Sequence, residues 1–181
     1  MNTTQLLIAG FGGQGILFAG KFLAYAGLIE GRNVSWLPSY GPEMRGGTAN
    51  CSVILSDTQV GSPIVNTPDI LIAMNLPSLE KYENEAVSGA CIFVDSSLVE
   101  KTVERKDVKV YPIPATQMAA DNGLDTLANM ILIGYVLAKC SVIKTETIQT
   151  ALEKVVSQKH MDLLEKNREA IQLGYEYGKD A

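Results

Sequence analysis

Histidine is nearly absent from this chain of 181 residues: His160 stands alone. A metal site built on several imidazoles is thereby excluded. Cysteine is scarce as well. Cys51, Cys91 and Cys140 form neither a C-x-x-C pair nor a ferredoxin-like run, so the chain is expected to bind no cluster and no zinc by itself. Three thiols without a pairing pattern point to a reducing compartment and to cysteines used as small apolar residues. Clusters of positive charge are also missing. The net charge is −5 with Lys and Arg scattered along the chain, which argues against nucleic acid and anionic membrane as partners.

Long apolar runs are missing too. The uncharged stretch 5–20 has no basic residue before Lys21 and is centred on a glycine turn, unlike a secretory signal. The run Thr126 to Ala138 is well short of the about 20 residues that span a bilayer. The expectation is a soluble, cytoplasmic protein. What is present is a hydrophobic content of 46%, enough for one α/β domain over residues 1–181 with no disulfide or metal to staple it.

The stretch Gly10-Phe11-Gly12-Gly13-Gln14-Gly15 organises the rest. It follows the apolar run Leu6-Leu7-Ile8-Ala9 and opens a periodic segment from Gln14 to Glu30. Strand, glycine turn and helix form the context in which G-x-G-x-x-G carries meaning. Gly10 is expected to reverse the chain, Gly12 to leave room for a phosphate, and Gly15 to let the helix pack closely on the preceding strand. The first helical turn then offers unpaired N–H groups and the positive end of the dipole. A turn that only solves packing is the alternative.

Further along, Gly31 is a C-cap candidate, and Asn33 to Leu37 reads as a second strand stopped by Pro38. Ala49, Cys51, Val53 and Leu55 alternate with polar residues, which predicts a strand with one wetter face, at an edge or paired antiparallel. Cys51 falls on its apolar side and is expected in the core. Asp69 to Asn75 and Ala90 to Val94 read as buried strands, and Val108 to Ile113 as a sixth. Pro77 suits the first turn of a helix reaching about Ala86. Asp125 is expected to cap a helix through Lys139, and Thr145 one running to about Ser157. Met161 to Tyr177 reads as a terminal helix, either fraying or a docking surface. Asn75 and Asn129 are polar residues in apolar surroundings, expected to bond locally. The predicted fold is α/β: a Rossmann-like, mostly parallel sheet with flanking helices and a helical C-terminal portion over about 125–178.

A dinucleotide site normally places Asp or Glu at the end of the second strand to hold a ribose hydroxyl. Here that strand ends Trp36-Leu37-Pro38-Ser39. A phosphate-accepting turn remains, with a second loop, Tyr40 to Gly47, expected near the same edge of the sheet.

Together, Gly10 to Gly15 and Ser39-Tyr40-Gly41-Pro42-Glu43-Met44-Arg45-Gly46-Gly47-Thr48-Ala49-Asn50-Cys51 resemble the gamma subunit of 2-oxoacid:ferredoxin (acceptor) oxidoreductases. The resemblance extends to Gly61-Ser62-Pro63, Asp69 to Asn75 and Asp95-Ser96-Ser97. It is strongest toward the 2-oxoglutarate enzymes, with the branched-chain 2-oxoacid enzymes close behind. It implies a multi-subunit enzyme that decarboxylates a 2-oxoacid on thiamine diphosphate. Electrons pass through iron–sulfur clusters to ferredoxin, and the acyl group goes to coenzyme A. Thiamine, magnesium and the clusters would belong to alpha and beta subunits, and in some cases a delta subunit. Coenzyme A would lie near this chain.

The ligand-binding residues expected on this reading are Gly10, Gly12, Gly13, Gln14, Gly15, Lys21, Tyr40, Arg45 and Gly46, with no catalytic residue and no metal ligand. Diphosphate needs backbone donors and one or two cations. Lys21 stands roughly 9 Å along the helix from Gly15, so it is either a partial contributor or an ordinary solvated lysine. Arg45 is either a ligand contact or a surface partner of Glu43. Gln14 either caps the helix or faces a ligand or partner. Two other readings stand beside the first: a stand-alone nucleotide-dependent oxidoreductase, and a purely structural subunit with no ligand. Isolated from partners, the chain is expected to be inactive and to self-associate as a homodimer.

Overall fold

The computed structural model of the chain describes residues 2–39 and 49–181. In order, the elements are β1 (Thr3–Gly10), α1 (Ile16–Ile29), β2 (Asn33–Ser39), β3 (Ala49–Ser56), β4 (Ile70–Ala73) and α2 (Leu76–Tyr82). Then come β5 (Cys91–Asp95), β6 (Lys109–Ile113), α3 (Ala115–Asp121), α4 (Ala128–Cys140), α5 (Thr147–Val155) and α6 (Met161–Asp180). A 3-10 turn, Gln158–His160, joins the last two helices.

The strands form one sheet in the order β2-β3-β1-β4-β5-β6. β1, β4, β5 and β6 pair in parallel, whereas β3 runs antiparallel to both β1 and β2. The sheet is therefore mixed, with β3 the one reversed strand among the described residues. Its alternation pointed to antiparallel pairing or an edge; the pairing holds and the edge does not. β3 lies between β1 and β2 and is buried on both faces, Ser52 and Ser56 included. The serines fit there because they are bonded: Ser52 Oγ accepts the Val65 N–H at 3.3 Å, and Ser56 Oγ meets Thr3 Oγ1 at 2.7 Å. The true edge is β2. It runs on through Pro38, opposite Cys51, because an edge strand has one side with no ladder to break.

Alternate strand residues go to opposite faces. Leu6, Ile8, Cys51, Val53, Leu55, Ile70, Ile72 and Phe93 pack under α1, α4, α5 and α6. Leu7, Ala9, Ile54, Leu71, Ala73, Ile92 and Val94 pack with Leu79 and Tyr82 of α2 on the other face. The helix after β1 and the helix after β4 thus cover opposite faces. A crevice opens outside the carboxyl ends of β1 and β4, the position where open α/β sheets bind ligands.

Helix boundaries depart from the sequence expectation where tertiary bonds replace local caps. Asp125 does not cap α4; the helix starts three residues later, after a turn in which Thr126 takes φ 73°. Thr145 does not cap α5. Glu30, at the end of α1, accepts the Lys144 N–H at 2.6 Å and the Thr147 hydroxyl at 2.8 Å instead. α2 stops at Tyr82 rather than Ala86, and Arg105 Nη1 donates to the carbonyls of Glu83 and Ala86, each at 2.8 Å. Gly31, with φ 74°, follows α1 as expected of a C-terminal glycine.

α6 neither frays nor stands free. It lies against α4 through small residues: a Cβ on Gly174 would overlap the Ile131 carbonyl, and one on Gly134 would overlap the Ile171 carbonyl. The Tyr177 ring meets the Tyr135 ring edge-on at 5.4 Å. The stripe Ala170, Gly174, Gly178 thus lets two backbones meet. Helix propensity alone favours Ala over Gly by about 1 kcal/mol, but backbone cannot rotate out of the way as a side chain does. Gly174→Ala is expected to destabilise the chain by about 2 kcal/mol or more in urea unfolding. A neutral or stabilising effect would show that the two helices part freely.

Candidate functional site

The glycine turn sits at the carboxyl end of β1, and each of its glycines answers a different need. Gly13 has φ 90° with open space where a Cβ would be, so its backbone alone requires glycine. Gly15 has φ 72° and is the N-cap of α1. A Cβ there would also overlap the Asn129 side chain, whose Nδ2 donates to the Gly15 carbonyl at 3.0 Å. The close packing expected of Gly15 is therefore against α4, not against β1. Gly10 ends β1 in ordinary strand geometry; it is hemmed in by Gln14, Ile16 and Met74. The chain reversal expected of Gly10 falls to Gly13 and Gly15, whose φ angles carry it.

Gln14, ambiguous in the sequence, bonds within the chain at both ends of its amide. Its Oε1 accepts the Phe11 N–H at 2.6 Å, and its Nε2 donates to the Met74 carbonyl at 3.2 Å. It ties the turn to the end of β4, across the crevice. Asn75 and Asn129 bond as structural residues: Asn75 Oδ1 caps α2 by accepting the Ser78 N–H at 2.9 Å. The Asn129 bond is structural but not local, since it spans from α4 to the turn. Asp95, fully buried at the end of β5, accepts the Thr116 hydroxyl at 2.6 Å and the Ser97 N–H at 3.1 Å. It holds the next loop of the same edge in place.

α1 itself begins at Ile16 with no side-chain cap and no acidic residue in its first turn. Among the described residues no acceptor takes the N–H groups of Ile16, Leu17 or Phe18; the first bonded amide is Ala19, to Gly15 at 3.0 Å. These donors, with the positive end of a 14-residue helix, suit an anion. Two clefts flank the turn. One, of about 270 Å³, runs from Phe11 and Gly12 to Phe18 and Ala49. The other, of about 260 Å³, lies between Gly13 and Gln14 on one side and Thr116, Asp125 and Thr126 on the other. A larger groove, about 600 Å³, follows α6 from Glu165 to Glu176. It is lined by one helix face with nothing converging from a second element, so the chemistry stays at the turn.

Of the other expected residues, Lys21 is turned away. Its Nζ lies 5.9 Å from the centre of the Tyr25 ring, one helical turn further from the glycines. Gly12 is exposed beside the first cleft. Tyr40, Arg45 and Gly46 lie outside the described residues. The residues that bracket them do not: Ala49 pairs with Gly10, and Ser39 with Asn50. The second loop thus leaves and rejoins the sheet at the edge that carries the glycine turn. Cys51 is buried among the residues packed under α1, and burial pushes its thiol up to about 12 against a hydrogen bond from Trp36. It is a core thiol, protonated at neutral pH. Thr116, Asp125 and Thr126 were not legible as neighbours of the glycine turn, because no short-range pattern marks a segment that meets the glycines only through the fold.

A profile of the pyruvate ferredoxin/flavodoxin oxidoreductase family matches residues 5–177. Among curated relatives, the ketoisovalerate oxidoreductase subunit VorA of Methanothermobacter thermautotrophicus is 36% identical over 97% of this chain. The chain spans 36% of the length of that protein. The 2-oxoglutarate synthase subunit KorC of Methanothermobacter marburgensis is 34% identical, covering 95% of each chain. Among solved structures, the keto/oxoacid ferredoxin oxidoreductase gamma subunit of Geobacter sulfurreducens superposes with a TM-score of 0.85 at 28% identity, over 98% of this chain and 99% of that one. The 2-oxoglutarate:ferredoxin oxidoreductase of Magnetococcus marinus, with 2-oxoglutarate, coenzyme A and succinyl-CoA bound, superposes with a TM-score of 0.89 at 25% identity. The match covers all of this chain and 32% of that one. By sequence along nearly its whole length and by fold, the chain belongs to the pyruvate ferredoxin/flavodoxin oxidoreductase family.

Proposed function

We propose that this chain is the gamma-type subunit of a thiamine-dependent 2-oxoacid:ferredoxin oxidoreductase, with 2-oxoglutarate the first choice of substrate. Residues 1–181 act in it as one domain that helps bind coenzyme A and holds neighbouring subunits. The observation that carries the reading is the likeness of the whole chain to part of an enzyme solved with coenzyme A. The full-length likeness to a 2-oxoglutarate synthase subunit favours that substrate over ketoisovalerate.

The physical case rests on the turn. The unbonded N–H groups at the start of α1 receive the diphosphate, and Gly12 and Gly13 leave the approach open. Gln14 and Asn129 act without touching the ligand. They hold the turn from two sides, so little ordering is left to be done on binding. Arg45 of the second loop serves as the charge partner, while Lys21, already over Tyr25, does not. Thiamine diphosphate supplies the decarboxylation chemistry in partner subunits, as do magnesium and the iron–sulfur clusters for theirs. In this chain Cys51 lies under α1, remote in the sheet from the edge where Cys91 begins β5, so the thiols are not gathered as cluster ligands. No helix among the described residues is long and apolar enough to cross a membrane; a cytoplasmic complex fits the reading.

The test compares assembled complexes. Arg45→Ala is expected to weaken coenzyme A binding roughly ten- to a hundredfold, for a charged hydrogen bond of about 1.5–3 kcal/mol. Oxidation of the 2-oxoacid measured without coenzyme A should change much less. Lys21→Ala should leave both quantities near wild type. Gln14→Ala, which frees the Phe11 N–H and the Met74 carbonyl, should lower coenzyme A affinity by roughly fivefold, about 1 kcal/mol. Hydrogen exchange at the Phe11 amide should rise with it. Unchanged coenzyme A dependence with a weakened complex would make the loops assembly elements and the chain a structural subunit.

A further inference from the structure

Two cysteines that the sequence keeps about 50 residues apart are brought to one corner by the fold. Cys91 opens β5 and Cys140 closes α4. α4 starts at the carboxyl edge of the sheet, where Asn129 reaches Gly15, and runs back across β5. There the Tyr135 ring meets the Phe93 ring edge-on at 5.4 Å. Phe93 and Cys91 are two apart on a strand and share a face. Cys140 lies about one and a half turns beyond Tyr135. Strand and helix therefore deliver both thiols to the opposite edge of the sheet from the glycine turn. Both are half-buried and unpaired. Both side chains pack against the same core cluster as Tyr111, and the Nζ of Lys139, the neighbour of Cys140, lies 5.8 Å from the centre of the Tyr111 ring on the strand beside Cys91. Lys109 stands opposite Cys91 in the β5–β6 ladder.

We propose that Cys91 and Cys140 form an oxidisable dithiol, a modification site that closes to a disulfide pinning α4 to β5 by exchange with a low-molecular-weight disulfide. One protein thiolate attacks the small disulfide, forming a mixed disulfide and releasing one half as a thiol. The second protein thiolate attacks the mixed disulfide and releases the other half. The S–S bond of the small molecule is broken and one between Cys91 and Cys140 is made. The two protein protons end on the two released thiols, and the two electrons lost by the protein sulfurs reduce the small disulfide. Burial, with Cys91 alongside, pushes the Cys140 thiol up to about 12 against the pull of Lys109. Exchange is accordingly slow at neutral pH and faster as pH rises. Cys51, buried under α1, takes no part. None of this depends on what the turn binds.

The experiment uses the full chain, reduced, incubated with oxidised glutathione at mildly alkaline pH, alkylated after unfolding and digested with trypsin. The expected product is peptide 82–101 joined to peptide 140–144, lighter than their sum by the two hydrogens lost and separated again by reductant. The Cys51 peptide should carry only the alkylating label. The oxidised chain should melt about 5 °C above the reduced one. Cys140→Ser should lose both the cross-link and the shift. Glutathione adducts on Cys91 and Cys140 without a cross-link, a cross-link through Cys51, or a cross-link that leaves the melting temperature unchanged would each overturn the proposal.

Discussion

The contact between Gly15 and Asn129 is the constraint on which the glycine-turn end of the sheet depends. The backbone at Gly15 must be left-handed for the chain to enter α1, and the space a side chain would need is filled by the Asn129 amide. One hydrogen bond of 3.0 Å then couples the start of α1 to the start of α4. With Gln14 holding the turn to Met74, a glycine segment that would otherwise be loose is fixed from two directions. The N–H groups of the first helical turn are left aimed and unspent, which is the condition for binding an anion without first ordering the loop.

The reversed strand does the rest of the positioning. In a purely parallel arrangement β2 would sit beside β1; here β3 is inserted antiparallel between them. The chain therefore leaves β2 and begins β3 at the same edge, with Ala49 opposite Gly10. Ser39 and Ala49, which bracket the connection, are thereby placed at the end of the sheet that carries the glycine turn.

α4 is the member common to both ends of the molecule. Ala128 through Leu137 are buried without interruption, as expected of a helix apolar on every side. At one end Asn129 supports the turn; at the other Cys140 closes the helix at the end of the sheet where Cys91 opens β5. In between, Gly134 admits the backbone of α6 and Tyr135 joins a ring cluster with Phe93, Tyr111 and Tyr177.

Much of this was legible in the residues themselves. Continuous apolar runs marked β4 and β5, alternation marked β3, and Gly31 marked the end of α1, because these signals follow from local burial and backbone geometry. The glycine pattern and the run from Ser39 to Cys51 pointed to the family for the same reason: they are contiguous. Where the sequence ran out, the deciding partner was distant in the chain. Cys91 and Cys140 showed no pairing pattern because a helix and a strand joined them in space. Asp125 and Thr145 looked like caps, but neither helix has a side-chain cap; Glu30 of α1 instead holds the approach to α5 through the Lys144 N–H and the Thr147 hydroxyl. Gly15 was readable as a close-packing residue, but against β1 rather than against Asn129 of α4. The terminal helix could be read as fraying or as a docking surface, but not as packed backbone to backbone on α4 through Gly174. Local propensity and pattern determined the elements and the turn; long-range packing and strand direction alone decided which side chains meet, since those contacts carry no periodic trace along the chain.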